Sequence, residues 1–235
     1  CNFLYETPLA QIKENKMKQS KYLIIFMILS ISSNLFSQTA GLFGKKDESL
    51  ISLDGSYDSE KIEGGKQNTT SFGASYLING NLEFGANYQM SKVKSDDDSS
   101  MDFDINGFSF GGYYHIKESP TLPFNIKIGG GYGTAKASGG MIDLLGVSLE
   151  ATATTFGGGV YKEISPNLIG FLDFGSISSK SIISGGGESD SETDSYTSTS
   201  FGIAFRNGNV FIKPSIGQAD GESSFNVTVG FLLPQ

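Results

Sequence analysis

Polar and apolar residues alternate along most of this chain. In the segment Phe124-Asn-Ile-Lys-Ile-Gly-Gly-Gly-Tyr132 the even positions are Phe, Ile, Ile, Gly and Tyr; the odd positions are Asn, Lys, Gly and Gly. A period of two places these sets on opposite faces of a strand. The pattern recurs ten times and predicts strands over 49–57, 68–78, 82–93, 101–116, 124–137, 147–163, 168–182, 195–206, 209–217 and 224–233. Short connections are Asn79-Gly80-Asn81, Lys117 to Pro123, Ser165-Pro166-Asn167 and Asn207-Gly208. They alternate with long polar ones over 58–67, 94–100, 138–146, 183–194 and 218–223. The two Asn-Gly pairs favour hairpin turns in which both central residues take φ > 0.

The apolar face continues from strand to strand. It reads Phe72, Ala74, Tyr76, Ile78, then Leu82, Phe84, Ala86, Tyr88, Met90, then Phe108, Phe110, Tyr114. Leu168, Leu172, Phe174, Phe201, Ile203 and Phe205 follow, and the last strand contributes Phe225, Val227, Val229, Phe231 and Leu233. These runs hold no ionisable group, as a lipid-facing surface requires: a charge at the bilayer midplane costs about 2–4 kcal/mol. Tyr57, Tyr76, Tyr88, Tyr114, Tyr132 and Tyr161 supply candidate interfacial rings in a chain without Trp. The opposite face is rich in Gly, Ser, Ala and Asn, where a solvent-facing sheet would carry more Lys and Glu.

The expected fold is therefore all-β: an antiparallel up-and-down transmembrane β-barrel of about ten strands. Eight remain open if two segments pair differently. Short turns on one side and long loops on the other fit that layout. An even strand count places both barrel ends on the short-turn side. Reversing the faces gives the alternative, a soluble lipocalin-like barrel of the periplasm with an apolar interior for an apolar ligand. Strands four and eight change phase near Gly107 and Ser200, which predicts bulges or strands extending beyond the membrane.

The N-terminal region has a different grammar. Met17-Lys18-Gln-Ser-Lys21 is basic, Tyr22 to Ile31 is apolar, and Ser, Asn and Gln follow. That is the order of a cleavable signal peptide over 17–37, with an apolar run too short to span a bilayer as a helix. Residues 1–16 read as a non-native upstream stretch, 38–47 as a linker and 48–235 as the barrel. The expected location is the cell outer membrane.

Charge and chemistry narrow the reading. Without residues 1–37 the chain carries 13 basic and 23 acidic residues, a net charge of −10. An acidic chain with no basic patch argues against nucleic acid as a partner. Cys1, the single cysteine, lies upstream, so no disulfide is expected. The small-residue face holds Asp54, Glu83, Lys127, Glu150, Lys162, Asp173, Arg206 and Lys213. Opposite charges inside a narrow tube must pair. They predict a salt-bridged plug, or else a constriction that selects small solutes. His115, the single histidine, sits at the short-turn end of strand four, away from the outer rim where a barrel enzyme would place its catalytic groups. No catalytic set, cofactor or metal site is expected. Asp96-Asp97-Asp98 and Glu188, Asp190, Glu192, Asp194 lack EF-hand spacing and read as solvated loops. Loops 94–100 and 183–194 are candidate contacts for an extracellular surface partner, and Ser176 to Ser200 is expected to be mobile. Gly129-Gly130-Gly131 and Gly157-Gly158-Gly159 precede no helix and no Lys-Ser/Thr pair, so they read as strand glycines.

On the alternation, the turn and loop asymmetry and the final Ser224-Phe-Asn-Val-Thr-Val-Gly-Phe-Leu-Leu233, the chain resembles the small bacterial outer-membrane β-barrel proteins, the opacity-porin and outer-membrane-barrel-domain group. The resemblance implies that Phe225, Val227, Val229, Phe231 and Leu233 form an assembly signal for the barrel-assembly machinery. Pro234-Gln235 depart from the aromatic ending usual in that group. It further implies outer-membrane lipids and lipopolysaccharide as surroundings. The implied role is structural or surface-interacting with a plugged lumen, or alternatively that of a narrow porin-like channel. Architecture of this kind specifies no substrate.

Overall fold

The computed structural model describes residues 39–62, 65–95, 102–186, 188–219 and 221–235. The signal-peptide reading and Asp96-Asp97-Asp98 lie outside the described residues. A short helix α1 (Ala40–Phe43) precedes β1 (Leu50–Ile62), β2 (Gly65–Ile78), β3 (Leu82–Ser95), β4 (Phe103–Ile116) and β5 (Asn125–Ser138). A second short helix, α2 (Gly140–Leu145), leads to β6 (Ser148–Ser165), β7 (Leu168–Gly185), β8 (Glu188–Asn207), β9 (Val210–Ala219) and β10 (Glu222–Pro234). Each strand pairs antiparallel with its sequence neighbours, and β1 pairs with β10, so the sheet closes into a barrel. Closure leaves no edge over the paired length. Leu50 lies opposite both Pro234 and Leu77, which puts both barrel ends at the short-turn mouth.

The expected strands all form, and the alternation sorts their faces as a membrane barrel requires. Phe72, Phe84, Phe108, Phe110, Phe174, Phe201, Phe225 and Phe231 point outward, each about half exposed. Val229 and Leu233 join them on β10. Inside, Ser52, Ser56, Ser71, Ser75, Asn87, Ser91 and Ser109 are buried. The apolar face is thus the outer surface, and the lipocalin-like arrangement is not formed.

Three details depart from the sequence expectation. The segments 58–67 and 183–194 are largely strand, because β1, β2, β7 and β8 run on past the apolar belt as hairpins. Ser176 to Ser200 accordingly belongs mostly to β7 and β8. No bulge forms near Gly107 or Ser200: β4 keeps one alternation over its length and β8 keeps it from Ser191 on, and β8 runs on past the apolar belt, the other form of that expectation. The irregular step in the β6–β7 register falls between Glu163 and Ser165 instead.

The turns follow from backbone chemistry. Asn79 and Gly80 both take positive φ, 48° and 72°, as the Asn-Gly signal predicts. At the second Asn-Gly, β8 continues through Asn207, and Gly208 with φ 61° opens a Gly208-Asn209 turn. Glycine in the first central position is the requirement of a type II′ hairpin.

Candidate functional site in the lumen

The chemistry of this chain gathers at the short-turn mouth of the lumen. Thr39, Ala40, Leu42 and Phe43 are buried there, inside the barrel. This part of the stretch read as a linker packs with Leu50, Leu77, Tyr161, Ile169, Phe171, Ala204, Phe211 and Leu232. The Phe43 ring sits 5.6 Å from that of Phe211. An apolar plug four residues long is too short to show a period, so the sequence alone gave no sign of it.

Polar groups fasten the plug. His115 lies with Nε2 3.0 Å from Glu83 Oε2 and Nδ1 3.0 Å from the Tyr161 hydroxyl. Tyr161, expected as an interfacial ring, points into the lumen instead and donates its hydroxyl proton to Gly41 O at 3.1 Å. Lys117 Nζ donates to Gly41 O, Gly44 O and the Tyr161 oxygen at 3.0, 2.6 and 3.0 Å. The Gly41 N–H donates to Glu83, and Ala40 N donates to Ser75 Oγ, which itself donates to Glu83 Oε1 at 2.7 Å. Lys213 Nζ donates to Thr39 Oγ1 at 3.2 Å. The backbone of residues 40–44 is therefore bonded to β2, β3, β6 and the turn after β4, and the Thr39 side chain to β9. Burial lowers the ammonium of Lys117, which lies in that turn, to about 8, while Glu83 and Glu48 act in the opposite direction.

Gly41 is required by this docking. A Cβ placed on it would overlap Cε1 and Nε2 of His115 and crowd Glu83. The imidazole is held from both sides, so it has little freedom to move away. A carbon atom at position 41 has no room in this arrangement unless His115 shifts.

The charges singled out in the sequence divide. Lys127 and Asp173 form a buried pair at 3.0 Å, with Lys127 Nζ 5.4 Å from the Tyr113 ring centroid. Glu83 belongs to the His115 network. Asp54 points inward and accepts from Ser52 Oγ at 3.2 Å. Lys213 lies 5.9 Å from the Phe171 ring centroid as well as on Thr39. Arg206 is at the rim, where Nε donates to Gly208 O at 2.7 Å, and does not join this group. Lys162 and Glu150 are exposed on the outer surface, because Tyr161, Leu149, Ala151 and Ala153 are the inward residues of β6. Glu150 pairs there with Lys136 at 3.1 Å.

A second apolar cluster lies toward the other mouth. Val93, Phe103, Ile105, Ala135, Ala137, Leu149, Ala151, Ala153 and Ile177 point inward and pack around Ile142 of α2. The small polar lumen expected from the sequence therefore holds only in the middle of the barrel. Above the belt, the inward face of β8 carries Glu188, Asp190, Glu192 and Asp194, and that of β1 carries Asp58 and Glu60. Burial, reinforced by repulsion from Asp58 and Glu222, pushes the Glu60 carboxyl up to about 8. No group of three or more His, Cys, Asp or Glu side chains suited to a metal ion occurs among the described residues.

No family model and no curated protein matches this chain. Among solved structures it is similar to Ail, the attachment invasion locus protein of Yersinia pestis: 15% identity, 80% of this chain, 100% of that chain, TM-score 0.34. Neisserial surface protein A gives 13% identity over 79% of this chain and 96% of that one, TM-score 0.35. The KdgM porin, solved with disordered oligogalacturonate, gives 10% over 77% and 98%, TM-score 0.37. Likenesses this distant decide nothing about function. The closed strand order, the outward apolar belt and the paired charges within make this chain a ten-stranded antiparallel up-and-down β-barrel.

Proposed function

We propose that this chain is an integral outer-membrane β-barrel with a structural or surface-interaction role, its lumen sealed at both ends. The observation that carries the reading is the inversion of faces: half-exposed aromatics outside, a bonded polar interior with apolar stoppers inside. Such a surface is stable against lipid and unstable against water. Residues 39–44 stop one mouth, and α2 with its surrounding side chains stops the other. The long β7–β8 hairpin is the part that reaches farthest from the membrane, and so is the natural contact for a surface partner. Phe225, Val227, Val229, Phe231 and Leu233 on the closing strand are the candidate signal to the assembly machinery.

A second reading, a narrow channel, has one observation in its favour. In mid-lumen Asn87 Nδ2 and Thr155 Oγ1 are buried without a protein hydrogen-bond partner. Unpartnered polar atoms there suit water, and hence a path for small solutes once both stoppers leave. Planar-bilayer recording separates the two. The sealed barrel gives no conductance steps, and it opens only when residues 39–47 and the α2 stopper are both removed. Steady steps from the undeleted protein would establish the channel.

A further inference from the structure

The belt of outward apolar side chains ends at a definable height. Tyr57 and Tyr88 point their hydroxyls beyond it, donating to Asn68 Oδ1 at 2.9 Å and Asn106 Oδ1 at 3.3 Å. Above that line the outer surface turns basic, a local patch that the overall acidic composition does not predict, with Lys61, Lys66, Lys92, Lys94, Lys136 and Lys180 all exposed and pointing away from the lumen.

These six differ in their company. Lys136 pairs with Glu150. Lys92 lies opposite Asp104 on β4. Lys180 stands apart, between Thr152 and Thr193. The other three form a row: Lys61 is the cross-strand partner of Lys66, and Lys66 is the partner of Lys94. Strands lie about 4.8 Å apart, so three ammonium groups share a stretch of about 10 Å. None of the three forms an ion pair among the described residues. Like charges placed directly opposite are destabilising, and an anion relieves them.

Height decides which anion. The row stands four residues beyond Tyr57 along β1, about 10 Å above it once strand tilt is allowed for. That is headgroup depth, against the bilayer and on its outer side. We infer that Lys61, Lys66 and Lys94 form a binding site for the phosphorylated headgroup of an outer-leaflet lipid. The inference rests on the outer-membrane reading above and deepens it by naming the lipid chemistry and the residues.

The test uses the full mature chain, folded in neutral detergent, and native mass spectrometry of bound lipid. The probes are bisphosphorylated lipid A, its dephosphorylated form and inorganic phosphate. Retention of the bisphosphorylated lipid is expected to fall on the order of a hundredfold in the Lys61→Gln/Lys66→Gln/Lys94→Gln variant. It should weaken with added salt. Lys180→Gln should retain it, and so should the Lys61→Arg/Lys66→Arg/Lys94→Arg variant, which keeps the charge and guards against a folding defect. Equal retention by the triple Gln variant would overturn the inference. So would equal retention of the dephosphorylated lipid, or displacement by inorganic phosphate at equal concentration. A protein absent from the outer-membrane fraction would instead overturn the reading beneath it.

Discussion

Gly41 lies against His115 with no room between them for a methyl group. The same glycine accepts from Tyr161 and Lys117 through its carbonyl oxygen. A buried polar network and a short apolar plug thus meet at one residue without a side chain, which makes the state of the plug easy to perturb. Gly41→Ala should displace residues 39–44 while leaving the ten strands paired. Leu42→Cys reports this, since Leu42 is buried. The thiol should resist a water-soluble maleimide in the parent barrel and react readily once Gly41→Ala is added. Equal resistance in both would mean that the mouth adapts to the extra carbon.

The pair Lys127–Asp173 should behave as buried charges do. Removing one partner leaves the other desolvated and alone, a loss of about 3–5 kcal/mol. Lys127→Met and Asp173→Leu should each destabilise the folded barrel by that order in urea titration, and the double variant by clearly less than either single change. Additive losses would show that the pair contributes nothing as a pair.

Glu60 gives the outer hairpins a pH dependence. Its folded-state pKa, about 8, lies above its ordinary value of 4.5 because of burial first and the neighbouring acids second. The folded state therefore holds a proton that the unfolded state releases. Stability is unaffected below about 4.5 and falls as pH rises from there through 8. The melting temperature of the folded form should decline from pH 5 to pH 9, and Glu60→Gln should flatten much of that decline.

The outer face should reject charge. Phe110 is 53% exposed on the outside of β4, between Ala86 and Tyr132 on the neighbouring strands. Phe110→Lys should cost about 2–4 kcal/mol in lipid. Asn68→Lys, above Tyr57, should cost little. Folding titrations into vesicles compare the two, and equal costs would contradict the assigned belt.

Much of this barrel was legible in the sequence, because alternation is the physics of a sheet with two different solvents. Leu82 to Met90 and Phe225 to Leu233 declare their faces without ambiguity. Legibility failed where the environment changed along a strand that kept its phase. Phe103 and Ile105 point inward and Phe108 and Phe110 outward, and the switch in which parity is apolar reads like a bulge. It marks instead where the apolar side chains pass from the inner face of the barrel to the outer one. Glu188-Ser-Asp-Ser-Glu-Thr-Asp194 alternates as regularly as any strand, yet it contains no apolar residue, so it read as loop. In β6 both parities are small, Ala151 and Ala153 against Thr152 and Thr154, which let Glu150 and Lys162 pass for lumen residues. The docking of residues 39–44 depends on contacts with five separate parts of the chain, and no local pattern encodes it.

The central claim is that the apolar face is the outer surface of a barrel embedded in the outer membrane. Gel mobility of the fractionated envelope, loaded boiled and unboiled, tests it most directly. The expected result is a protein confined to the outer-membrane fraction whose unboiled band migrates apart from the boiled one, as a detergent-resistant barrel does. A protein recovered in the soluble periplasmic fraction, with one mobility under both conditions, would contradict the claim.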